Sequence, residues 1–101
     1  MALKLTRKQE GTAVTVVLDG ELNNQTAPEL NELLEKSLPE TDALHLDFAC
    51  CDVVSSAGLR VLLNTFKSMK KKKGSMELLN IGPNFTEVLN ITGLDAVFGI
   101  R

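Results

Sequence analysis

The stretch DVVSSAGLRVLL, Asp52 to Leu63, decides the reading of this chain. Ahead of it Ala43–Phe48, ALHLDF, alternates as a strand, and within and beyond it Leu59, Leu62, Leu63, Phe66 and Met69 recur at helical spacing. Ser55 and Ser56 therefore fall where a strand runs out and an amphipathic helix begins. A helix start leaves backbone N–H groups unpaired and carries about half a positive charge, so it holds a hydroxyl as a cap and tolerates a phosphate. The junction is suited to a serine that is phosphorylated, or to serines that only cap the helix.

Outward from the junction, the rest of the chain reads as short periodic segments separated by turn residues. A first strand near Ala2–Lys8 and a second over Thr12–Asp19, TAVTVVLD, flank Gly11 and predict a hairpin. Thr26, Ala27, Pro28 and Glu29 have the pattern of a capping box with proline in the first turn. With Leu30, Leu33, Leu34 and Leu38 on one face, they predict a helix over Ala27–Ser37. Pro39–Asp42 breaks that helix before the strand at Ala43–Phe48. A second helix runs from Ala57 to Lys72, where the Lys70–Lys73 run complements the helix dipole and Gly74 follows. Glu77–Ile81, near Met76, gives a further strand. Asn84 and Glu87 cap a third helix to about Ile91, and Ala96–Ile100 a last strand. The order β-β-α-β-α-β-α-β makes an α/β fold with parallel pairing through right-handed crossovers, and the opening hairpin makes the sheet mixed. Residues 1–101 read as one domain.

Composition narrows the function. A formal net charge of −2 and only four aromatic residues, all phenylalanine, argue against nucleic acid as a partner. No apolar run approaches the roughly 20 residues that span a bilayer, and MALKLTRKQEG lacks a signal-peptide core, so the chain reads as cytoplasmic and not inserted in a membrane. Cys50 and Cys51 are adjacent, which strains a mutual disulfide and gives no metal-ligand spacing; at least one reads as a small core residue. His45 beside Asp47 reads as a sheet-surface pair. There is no phosphate-binding glycine loop, nucleophile elbow, Cys-x5-Arg loop or metal constellation, so no catalytic residue, metal or cofactor is expected and the chain reads as a binding protein, not an enzyme. Gly58 inside the first turn of a helix costs roughly 0.5–1 kcal/mol relative to alanine. Its presence suggests a close backbone approach by the Gly20–Gln25 loop or by a partner.

Three motifs in order resemble the STAS family of bacterial anti-sigma factor antagonists. Ser55–Leu62 is similar to that family's Asp-Ser-Ser/Thr-Gly-Leu-Gly-Val-Leu, agreeing at five of eight positions. Gly20–Ala27 is similar to its Gly-Glu-Leu-Asp loop, and Thr92-Gly93-Leu94 to its Ser/Thr-Gly-Leu. The resemblance implies a STAS domain that, when unphosphorylated, binds an anti-sigma factor that is also a serine kinase. Phosphorylation by that kinase releases the protein and a phosphatase resets it. It also implies that Ser56 is the phosphorylated position and that Asn23, Asn24, Ser55, Ser56, Ala57, Gly58 and Arg60 form the partner-binding face. Among the departures from the family pattern, Ser55 and Asn23 stand where aspartates are usual, and Arg60 where glycine is common. Arg60 lies within one turn of Ser56, able to pair with a phosphate or an acidic partner. The same fold allows an alternative, an adaptor that works without phosphorylation, such as the small STAS subunit of a phospholipid-trafficking ABC transporter.

Overall fold

In the computed structural model, which describes residues 3–99, Gly11 takes φ +61° and reverses the chain between β1 (Leu3–Glu10) and β2 (Ala13–Leu22). The expected hairpin is thus present, its strands antiparallel. β3 (Ala43–Val54) pairs parallel with β2, and β4 (Ser75–Leu79) parallel with β3, giving a mixed sheet in the order β1-β2-β3-β4. The crossovers are α1 (Ala27–Ser37) and α2 (Ser56–Lys71), with a single 3-10 turn, Leu38–Glu40, after α1. Both crossovers step the same way across the sheet, and right-handed connections stepping one way lay their helices on one face. Burial agrees: Val14, Val16 and Leu18 of β2 and Leu44, Leu46 and Phe48 of β3 are buried, while the alternate Thr15, Val17, His45 and Asp47 are half-buried on the other face. There His45 faces Glu77 across the strands, Nε2 to Oε1 3.6 Å, and not Asp47. α3 (Pro83–Thr92) completes the helical layer, with the Phe85 ring 4.8 Å from that of Phe48.

β3 runs six residues beyond the alternating pattern that marks its start. The pairing with β2 shifts register twice, between Val17 and Asp19 and between Asp19 and Glu21, so extra residues of β3 are absorbed as bulges. Each shift breaks the period of two, which is why Ala49 and Cys50 are exposed and Cys51 is buried. Asp47 accepts from Asn80 Nδ2 and from the Ala49 backbone N–H at the first bulge, and these bonds hold its carboxyl below the usual range.

Several expectations are corrected. The last element is not a strand at Ala96–Ile100. Leu94–Val97 forms a helical turn, α4, with the Phe98 N–H donating to the Leu94 carbonyl, and Ile100 lies outside the described residues. Leu94 and Phe98 are four apart, a helical spacing, and Phe98 is buried edge-on against Phe66 at 5.3 Å. Thr26 and Glu29 make no capping box, because the Thr26 hydroxyl donates to the Glu21 carbonyl and accepts from the Asn23 N–H. The Lys70–Lys73 run ends α2 as a Schellman turn in which Lys73, at φ +62°, takes the left-handed position. Gly74 is needed for another reason: a Cβ there would lie 2.8 Å from the Asp42 carbonyl oxygen.

Nor does Asn84 cap α3. The Asp52 carboxylate reaches across and accepts from the Phe85 N–H at 3.0 Å, the Asn84 N–H at 3.3 Å and the Asn84 side-chain amide at 3.0 Å. A carboxylate on the first N–H groups of a helix satisfies orphan donors and meets the positive end of the dipole. Replacing Asp52 by alanine is expected to cost about 1–2 kcal/mol, read as a lowered Tm with faster amide exchange at Phe85. The two thiols differ as well. Burial pushes the Cys51 thiol up, whereas Cys50 is exposed, so a thiol reagent should modify Cys50 rapidly in the native protein and Cys51 only on unfolding.

Candidate functional site

Parallel pairing of β2 and β3 places the loops at their carboxyl ends side by side, the usual position for a site in an open α/β sheet. Pairing continues to the last residues, Leu22 opposite Val54, and the Ser55 N–H then donates to the Leu22 carbonyl at 2.8 Å. The loop after β2 folds on itself through Asn23. Its side-chain oxygen accepts from the Gln25 and Thr26 N–H groups at 2.9 and 3.1 Å, and its carbonyl from Ala27 at 2.8 Å. This is an Asx turn, which needs an acceptor oxygen and no charge, so asparagine serves where the family's aspartate is usual.

The two serines have different tasks. Ser55 is the N-cap of α2, at φ −85° and ψ 173°, and its Oγ accepts from the Gly58 N–H at 3.4 Å while donating to Asn24 Oδ1 at 3.3 Å. Ser56 is the first residue of α2 and is exposed, and among the described residues no hydrogen bond engages its hydroxyl. Arg60, one turn on, is exposed too, and with Asn24, Ala27, Pro28, Asn31, Ala57, Val61 and Asn64 it lines a groove of about 330 Å³ between α1 and α2.

Of the residues expected on a contact face, Asn24, Ser55, Ser56, Ala57 and Arg60 are brought together at the surface, around the start of α2 and the mouth of the groove. Asn23 is turned into its own loop, and Gly58 is buried beneath. A Cβ on Gly58 would lie 2.6 Å from Leu22 Cγ and 3.2 Å from Val54 Cγ1, so the close approach expected there is made by the last residue of β2. Asn31 and Asn64 were not singled out in the sequence. Their signal was helical spacing alone, Asn64 four residues after Arg60 and Asn31 four after Ala27.

What the site offers chemically is a surface groove beside the exposed Ser56 hydroxyl. A phosphate on Ser56 would project from the first turn of α2, where the free N–H groups and the dipole favour negative charge. Because Ser55 supplies the cap, stability should separate the two residues. Ser55→Ala is expected to cost about 1 kcal/mol and lower the Tm by roughly 4–8 °C, and Ser56→Ala to stay within about 0.5 kcal/mol, checked by thermal and denaturant unfolding.

Comparison with known proteins gives a consistent picture. The family described as STAS domain matches residues 4–101. The anti-sigma-B factor antagonist of Bacillus subtilis is 30% identical over 100 residues, covering 99% of this chain and 92% of its own. Among solved structures, an anti-sigma factor antagonist from Mycobacterium paratuberculosis superposes with a TM-score of 0.86 at 24% identity, covering 98% of this chain and 85% of that one. SpoIIAA, an anti-sigma factor antagonist, superposes in its unphosphorylated form with a TM-score of 0.81 at 18% identity, over 97% of this chain and 99% of that one. In its phosphorylated form, where it is described as a Bacillus cell fate determinant, the TM-score is 0.77 at 18% identity, over 92% of this chain and 86% of that one. At these identities the structural likenesses establish the fold.

Proposed function

We propose that this chain, which belongs to the STAS domain family, is an anti-sigma factor antagonist: it binds an anti-sigma factor through the surface around Ser56 and is released when that serine is phosphorylated. The observation that carries the reading is the division of labour at the start of α2, where Ser55 caps the helix and leaves the Ser56 hydroxyl exposed to a modifying enzyme. In this reading the anti-sigma factor is itself the serine kinase, a phosphatase restores the hydroxyl, and the exchange takes place in the cytoplasm. The chain contributes the substrate hydroxyl and the docking face, and no catalytic group.

The physics of the switch is local. A phosphate adds about −1.5 to −2 charges at pH 7 and three acceptor oxygens. The helix start tolerates that charge, so the fold is retained, while a partner seated on the loop meets repulsion and must desolvate a dianion. A penalty of ~3 kcal/mol lowers affinity about a hundredfold, enough to empty the complex. The relatives named above are anti-sigma factor antagonists, which favours this reading over a phosphorylation-independent transporter adaptor.

The test is a pull-down from lysate of the source bacterium with wild type, Ser56→Ala and Ser56→Asp as baits. One ATPase-type kinase should be held by wild type and Ser56→Ala and lost by Ser56→Asp, with the Tm of all three nearly the same. Equal retention of one partner by all three baits would overturn the switch.

A further inference from the structure

Charge is segregated along this chain. Residues 56–73 contain six of the eleven cations and none of the thirteen carboxylates, although the whole chain is at −2. Four residues of α2, Ser56, Arg60, Lys67 and Lys71, are spaced four, seven and four apart, which at 3.6 residues per turn keeps them within about 60° of one another. All four are exposed, and the opposite side of α2 is buried through Val61, Leu62, Thr65 and Met69. The result is a basic stripe about 22 Å long that begins at the switch serine.

Helix stability does not explain this stripe. The dipole favours cations in the last turn, which accounts for Lys71, but Arg60 sits in the second turn, toward the positive end, and Lys67 lies upstream of the last turn. Other lysines of the segment have partners inside the fold: Lys72 Nζ donates to the Leu38 carbonyl, and Lys70 Nζ lies 5.5 Å from the centre of the Phe66 ring. Among the described residues Lys36 pairs with Glu32 and His45 lies beside Glu77, and neither contact uses the stripe. Its charges face outward with no carboxylate of their own.

We infer that the outward face of α2 is a docking surface for an acidic patch on the protein partner, and that Arg60 couples this surface to phosphorylation. The second half rests on the reading of Ser56 given above. A protein patch fits better than a polyanionic surface, because Glu29, Glu32 and Glu35 on the adjoining α1 are exposed and would repel a membrane or nucleic acid spread across both helices. Ser56 and Arg60 are neighbours at i,i+4, so a phosphate on Ser56 has a guanidinium within reach. Pairing withdraws that cation from the partner and turns the leading end of the stripe negative.

The test uses the protein that wild type retains in the pull-down above, with Lys67→Glu/Lys71→Glu and Arg60→Ala as further baits. Affinity should fall about tenfold or more from low to high salt, and the double charge reversal should weaken binding about a hundredfold with the fold retained, the Tm falling only by the small contribution of Lys71 to the helix dipole. Retention of the same proteins by the double variant, or salt-independent affinity, would overturn the docking face. So would equally tight, lysine-dependent binding to vesicles of phosphatidylcholine with phosphatidylglycerol. With phosphoserine installed at position 56, the second phosphate pKa read by phosphorus NMR should be lower in the wild-type background than with Arg60→Ala; equal values would remove Arg60 from the switch. The two readings fail separately. Release by the double variant but not by Ser56→Asp keeps the face and loses the switch, and the converse keeps the switch and loses the face.

Discussion

Leu22 is where the two halves of the site are joined. Its carbonyl accepts the Ser55 N–H, and its side chain fills the space that a Cβ on Gly58 would need. The last residue of β2 thereby sets both the height and the approach of α2, because a helix whose first turn rests on a fully buried leucine cannot slide along the sheet without opening the core. The geometry of the candidate site follows from that seat. The Asx turn at Asn23 and the cap at Ser55 lie on either side of it, the Asn24–Ser55 bond ties them, and Ser56 is left on top.

In the proposed function this arrangement separates stability from signalling. At a helix start a single serine commonly does one job, accepting from N–H groups of the first turn. Two in succession allow the first to hold the helix while the second meets solvent, so a charge can be added without removing a cap. Asp52 extends the separation to α3. Its carboxylate is committed to the Phe85 and Asn84 amides, so the acidic group nearest to Ser56 in sequence is turned away from the hydroxyl. The same carboxylate requires a glycine at position 82, where a Cβ would lie 2.3 Å from Asp52 Oδ1.

Much of this was legible in the chain itself. Proline in the first turn, the leucine face and the break at Pro39 mark the observed span of α1, Ala27–Ser37, and α2 starts one residue before the expected Ala57 because the helical period of the leucines begins there. Two features that could not be read had non-local causes. The extension of β3 to Val54 depends on bulges against β2, which break the alternation that marks a strand. The cap of α3 comes from 32 and 33 residues upstream, a distance at which no local pattern points to Asp52. At Thr26 and Glu29 a capping-box pattern was present, and the loop before α1 overrode it by drawing the hydroxyl to the Glu21 carbonyl, five residues back. The ending failed differently. AVFGI has the composition of a strand, but Leu94 and Phe98 are apart by a helical turn, and with Phe66 available to cover Phe98 the helical spacing wins.

Three departures from the family pattern, at Asn23, Ser55 and Arg60, make physical sense together. Asn23 keeps the acceptor oxygen that its turn requires and gives up the charge, Ser55 keeps a capping oxygen and gives up the charge, and Arg60 adds a cation. Asn23 and Ser55 keep the local hydrogen bonds, and all three residues move the surface around Ser56 toward positive. A patch that relied on carboxylates to attract a basic partner would lose by all three substitutions, whereas one that meets an acidic partner gains by all three. The same shift enlarges the effect of a phosphate. On a surface already negative, two more charges deepen an existing field, but on a neutral-to-basic one they reverse its sign, and reversal turns attraction into repulsion at the same contact.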